Sequence, residues 1–101
     1  MLVAISISPS GGPHDDKETG GVSASVAEAV RVIRESGLPT ETNAMFTNIE
    51  GEWDEVMAVV KAATMAVAAV SPRVSLVLKA DLREGVSGAL ASKVASLEQH
   101  L

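Results

Sequence analysis

Residues able to do chemistry gather in two stretches, NAMFTNIEGEWDEV (43–56) and RVSLVLKAD (73–81), with one early hydroxyl at Ser6. Asn43 and Thr47 each donate and accept hydrogen bonds, which suits the polar edge of a heterocycle. Turn or strand-edge duty is the plainer account of both. Met45 and Trp53 can pack on a flat ring, although either residue at an element end more often closes a core. Glu50 or Asp81 can act as a lone general base where burial raises its pKa. Otherwise Glu50 is a strand-end acid in water, and Asp81 is a helix cap or a partner of Arg83. Lys79 and Asp81 share parity on a strand and project from one face. Their spacing favours an ion pair, of small worth if exposed, over a polar ligand site.

Other chemistries find little support. The chain has no cysteine, which removes thiolate catalysis, disulfides and zinc–thiolate sites. Gly11, Gly12, Gly20 and Gly21 flank PHDDKET without the spacing of a phosphate-binding loop. His14, Asp15 and Asp16 offer donors from a polar loop, whereas metal ligands must converge from fixed positions. Neither histidine lies near a serine and an acid on a rigid element, so a catalytic triad is not supported. The formal charge of −5 argues against nucleic acid or an anionic membrane as partner, since both reward clustered Lys and Arg. MLVAISIS alternates and lacks the basic start of a secretory signal. The apolar stretch 56–70 is interrupted by Lys61 and Thr64 and is too short to span a bilayer. A cytoplasmic protein is expected.

Positioning these residues falls to a small set of elements. The 101 residues fit one domain, and with 2 % aromatics its core must be Val, Ala, Leu, Ile and Met. Residues 2–8 alternate, with Val3, Ile5 and Ile7 on one side and Ala4, Ser6 and Ser8 on the other. A flexible Gly- and Pro-rich loop is expected over 9–21 and a helix over 22–36, started by Ser23 or a Ser25–Glu28 capping box and stopped by Gly37. Two short strands follow over 40–45 and 46–50, joined without an Asn-Gly or Asp-Gly turn. A helix over 52–70 buries Val56, Val59, Val60, Ala63, Val67 and Val70, and a last strand covers 73–81. A tail helix over 86–100 carries Val86, Leu90, Val94 and Leu97 along one face, which must cover something.

The order β-α-β-β-α-β plus a helix predicts an α+β, ferredoxin-like domain: an antiparallel sheet with two helices on one face. Val3, Ile5, Ile7, Val74, Leu76 and Leu78 would face those helices. The open face would show Ala4, Ser6, Asn43, Met45, Val77 and Lys79, a mixed surface suited to a ligand or a second sheet.

VAISISP, VAEAVRVIRESGLPTETNAMFTNIEGEWDEVMAVVKAA and SPRVSLVLKADLR closely resemble the thiamine-binding protein family of small ferredoxin-like domains. The most specific parts are Met45–Thr47 to Glu50–Gly51 followed by DEV, and the final K-x-D-x-R. The resemblance implies dimers formed through sheets, often paired into tetramers. It also implies binding of thiamine or its hydroxymethylpyrimidine moiety without catalysis, and so no cofactor beyond that ligand. On this basis Ser6, Asn43 and Thr47 would pair with the pyrimidine, Met45 and Phe46 would pack on ring faces, and Glu50 or Asp81 would face the thiazolium, with Lys79 alongside. The first loop is longer than usual in the family, and Phe46 stands where MGT versions carry Gly. Two other readings remain open: a small dimeric enzyme using Glu50 or Asp81 as base, and a structural oligomer whose open face is filled by a partner subunit.

Overall fold

The computed structural model describes residues 1–10, 23–83 and 89–101. The elements are β1 (Leu2–Ser10), α1 (Ser23–Glu35), β2 (Thr40–Thr42), β3 (Thr47–Glu50), α2 (Trp53–Ala68), β4 (Arg73–Asp81) and α3 (Ala89–Gln99). The strands form one antiparallel sheet in the order β2-β3-β1-β4, as the ferredoxin-like pattern requires. Among the described residues, no helix is long and apolar enough to cross a membrane.

Alternation on β1 and helical spacing on α1 and α2 create the core. Val3, Ile5 and Ile7 of β1 and Ile49 of β3 pack against Ala29 and Ile33 of α1 and Val56, Val60, Ala63 and Val67 of α2. Full burial of one such aliphatic side chain stabilises by roughly 1.5–3 kcal/mol. Val74 and Leu78 of β4 are partly buried against this cluster. Leu76 shares their parity, yet on the edge strand it remains 41 % exposed.

Local signals set most element ends. Gly37 takes a φ of 81° after α1, a conformation that favours glycine. Ser36 Oγ donates to the Ile33 carbonyl at 2.6 Å and accepts from Leu38 N–H at 3.2 Å. Ser25 lies inside α1, so a Ser25–Glu28 box does not start it; Glu28 instead pairs with Arg31 at 2.7 Å. At α2, Glu52 N–H donates to Glu55 Oε1 at 2.8 Å, and Asp54 and Glu55 sit in the first turn, where the helix dipole favours acids.

Some boundaries differ from expectation. Pro9 and Ser10 belong to β1 rather than to a loop, because β4 continues to pair with them through Val74 and Arg73. The rest of the predicted loop, including His14, Asp15 and Asp16, lies outside the described residues, as do Val86 and the side chain of Leu90. The strand expected over 40–45 stops at Thr42, because residues 43–46 form a turn. Helix α3 comes against the sheet face opposite α1 and α2, where Lys93 Nζ pairs with Asp81 Oδ2. Its Val94 and Leu97 are 50 % and 60 % exposed, so the described residues do not cover that part of the helix.

Candidate functional site

The β2–β3 hairpin ends on the rung Thr42↔Thr47, and Asn43 shapes the turn beyond it. Asn43 N–H donates to the Phe46 carbonyl at 2.9 Å. Its side-chain Oδ1 accepts from Met45 N–H and from Phe46 N–H, each at 2.9 Å. Asparagine can close a turn on its own side chain in this way, which accounts for a hairpin without an Asn-Gly signal. Thr42 Oγ1 and Thr47 Oγ1 lie 3.2 Å apart across the last rung.

That turn also ends β3 early. Thr47 pairs with Ile5, and no later residue of β1 has a β3 partner, whereas β4 follows β1 to Ser10. Among the described residues, no strand pairs with that edge of β1 beyond Ile5, and a cleft of about 230 Å³ lies there, between β1, the turn and α1. Ser6, Thr42, Asn43 and Thr47 supply its polar lining. Ile5 and Ile7 line it from the sheet, Val26, Ala29, Val30 and Ile33 from α1, and Met45 and Phe46 from the turn. Among the described residues, neither a carboxylate nor a basic group lines it.

The opposite face of the sheet carries a second, separate concavity of about 290 Å³, lined by Leu2, Ala4, Asn48, Lys79, Ala80, Asp81 and Lys93. Here the expected Lys79–Asp81 pair is replaced by Asp81–Lys93, because α3 brings its lysine over the end of β4. The hydrogen bond from Lys93, then its charge, hold the Asp81 carboxyl below the usual carboxylate range; Arg83 and Lys79 add to this, and slight desolvation opposes it. By register Glu50 has the same face as Leu2 and Asp81, and its N–H donates to the Pro39 carbonyl at 3.0 Å.

The eight residues picked out from the sequence therefore do not form one site on the open face. Ser6, Asn43, Met45, Phe46 and Thr47 line the cleft beside α1; Lys79 and Asp81 line the far side of the sheet; Glu50 lines neither. The physical reason is strand parity. Thr47 and Ile49 point to the helices, and Thr47 is 7 % exposed, while Asn48 and Glu50 point away. Ser6 lines the cleft from that edge of β1, although its pairing with Val77 gives it open-face parity. Thr42, Val26 and Val30 join the cleft, and Asn48 and Lys93 the other face, without a signal in the sequence that marks them as site residues. Asn43 held the one usable signal, since a turn closed on its side chain brings Thr42 opposite Thr47. Neither Met45 nor Trp53 closes the core: they are 72 % and 52 % exposed, Met45 on the cleft and Trp53 outside its lining. His100 is exposed, with its ring Nδ1 2.8 Å from the Ser96 carbonyl oxygen. Among the described residues, no group of three His, Cys, Asp or Glu is placed to hold a metal.

Comparison with known proteins agrees with the resemblance read from the sequence. Residues 3–98 match the family described as thiamine-binding protein. A UPF0045 protein of Mycobacterium bovis is 53 % identical over 102 aligned positions, covering 100 % of this chain and 94 % of that one. A hypothetical protein from Methanocaldococcus jannascii has a crystal structure that superposes with a TM-score of 0.82 at 31 % identity, over 97 % of this chain and 95 % of its own. A Thermotoga maritima protein, provisionally assigned to thiamine biosynthesis or salvage, superposes with a TM-score of 0.77 at 25 % identity, over 95 % of this chain and 96 % of its own.

Proposed function

Because this chain belongs to the thiamine-binding protein family, we propose that it binds thiamine or a related aminopyrimidine in the cleft between β1, α1 and the hairpin turn, without catalysing a reaction. One observation carries the reading: Ser6, Thr42, Asn43 and Thr47 meet there beside apolar walls from β1, α1 and Met45–Phe46. A flat heterocycle needs apolar surface for its faces and a few polar groups at its edge, and ligand sites generally have this composition.

The lining suits the neutral pyrimidine better than the charged thiazolium. The net charge of −5 favours the cation at long range, while Glu50 and Asp81 lie away from the cleft. Among its described lining residues, no basic group is placed to pair with a diphosphate. Catalysis by Asp81 runs against its exposure and its lowered pKa, since a general base working near neutrality needs a raised one.

The same reading makes the protein a cytoplasmic homo-oligomer, dimeric or tetrameric, assembled through the open sheet face rather than with nucleic acid or membrane. Val77 and Leu82 of that region are 58 % and 66 % exposed, Val94 and Leu97 of α3 are exposed in similar degree, and a second copy would cover them.

Titration calorimetry with thiamine and with its hydroxymethyl aminopyrimidine half tests the binding. Saturable heat and a raised melting temperature are expected with both. Absence of heat and of any thermal shift at millimolar ligand would overturn the proposal.

A further inference from the structure

We infer that Asn43 serves the cleft as a hydrogen-bond donor only, and that with Thr42 it selects heterocycles carrying a ring nitrogen beside an exocyclic amine. The inference rests on the binding reading above and names the edge of the ligand that the cleft reads.

A carboxamide presents one acceptor oxygen and one NH2 donor group, and the two are ordinarily assigned from their partners. Here the partners decide. Two backbone N–H groups, of Met45 and Phe46, converge on one side-chain atom of Asn43 at 2.9 Å each. Backbone N–H groups only donate, so that atom is the oxygen, and its two lone pairs are both engaged. The NH2 group has no partner among the described residues, and Asn43 lines the cleft. A half-turn of the amide would break both turn bonds, so the side chain cannot change from donor to acceptor to suit another ligand.

Thr42 supplies the complementary group. In the Thr42–Thr47 pair one hydroxyl gives its hydrogen to the other. Thr47 is 7 % exposed and Thr42 is exposed, so Thr42 is the hydroxyl a ligand reaches. Whichever hydroxyl of the pair donates, Thr42 Oγ1 has two lone pairs and keeps at least one to accept from a ligand. A fixed donor next to this acceptor matches a ring nitrogen adjacent to an amine, which is the edge an aminopyrimidine presents.

The variant Asn43→Asp separates the two duties of the side chain. Its carboxylate still accepts from both N–H groups of the turn, but offers the cleft acceptors only. The probe is the hydroxymethyl aminopyrimidine in mildly alkaline buffer, since this neutral ligand avoids the attraction a new carboxylate would exert on a thiazolium. We expect N43D to melt within a few degrees of the wild type and to bind the probe roughly tenfold or more weakly, as a ligand acceptor left without its donor requires. A second measurement uses the wild type alone, comparing the probe with its analogue carrying C–H in place of the ring nitrogen next to the amine; a similar loss is expected. Wild-type binding matched by N43D, or by the analogue, overturns the donor assignment and leaves the binding reading standing. No wild-type binding of the probe or of thiamine overturns both.

Discussion

Thr42 Oγ1 and Thr47 Oγ1 stand 3.2 Å apart on the rung that closes the β2–β3 hairpin, one exposed and the other 7 % exposed. The buried member belongs to the core side of the sheet, and the exposed one to the rim of the cleft. The pair therefore links hairpin stability to the polar lining, and the two can be separated by substitution.

Thr47→Val keeps the shape and removes the hydroxyl. Thr42 can turn to water, so the loss of stability should stay near ~0.5–1.5 kcal/mol, the usual net worth of one hydrogen bond. Binding of the aminopyrimidine should fall about fivefold, which is that same energy read in affinity. Urea midpoints and calorimetry on one preparation measure both; unchanged affinity would remove Thr47 from the site.

Ile33 is 1 % exposed and also lines the cleft, so it serves the core and the α1 wall together. Ile33→Ala should destabilise by about 2–5 kcal/mol and Ile33→Val by about 0.5–1.5 kcal/mol. Equilibrium denaturation gives both values. A loss well under ~1 kcal/mol for the alanine variant would show that α1 packs more loosely than this structure has it.

A side chain at Gly51 would require the Glu55 carboxylate to move. A Cβ there would come within 2.8 Å of Glu55 Oε1 and 3.1 Å of Val56 Cγ2. The Glu55 carboxylate is the acceptor for Glu52 N–H, so Gly51→Ala should loosen the start of α2. A lost helix-start contact of this kind is worth roughly 0.5–2 kcal/mol. Thermal melts should show the drop, and Glu55→Gln, which retains an acceptor oxygen, should show less of it.

Asp81 and Lys93 tie α3 to β4, and this link should depend on pH. The folded-state pKa of Asp81 lies below its ordinary value. A depressed carboxyl pKa contributes stability above the unfolded value, and that contribution is lost as pH falls through the folded one. Amide protection factors in 89–99, taken against the intrinsic exchange rate at each pH, should therefore fall on acidification through and below the usual carboxylate range, and at high salt. Asp81→Asn should show the lower protection already at neutral pH, without the fall on acidification that Asp81 causes in the wild type. Identical α3 exchange in variant and wild type would mean that the pair does not hold the helix.

Val77 is 58 % exposed on the open face, near the centre of the proposed subunit contact. Val77→Lys should reduce the mass seen by light scattering to that of a monomer, while leaving the aminopyrimidine affinity of the cleft unchanged. An oligomer that persists in V77K would place the contact elsewhere.

The fold was legible because its signals are periodic and local. Val3, Ile5 and Ile7 alternate, Val56, Val60, Ala63 and Val67 recur at helical spacing, and Gly37 marks a helix end; each pattern points to the same two-layer packing. The types of the site residues were legible too, since Asn43, Met45, Phe46 and Thr47 do come together with Ser6. Their face was not. A strand over 46–50 fixes the alternation of Thr47 and Asn48 but not which of them points to the helices, and the turn that Asn43 closes decides it.

From the chain alone came the elements, their order and the apolar stripes that join them, because these depend on neighbours a few positions away. Tertiary structure decided where the hairpin turns, hence where β3 stops and which edge of β1 it leaves beside α1. It also put the cleft across the sheet from Lys79 and Asp81, which keep the open face read from their parity, and gave Asp81 to Lys93. The side-chain period of a strand is two, so a one-residue change in register moves every group to the other face, and only the closed turn fixes that register.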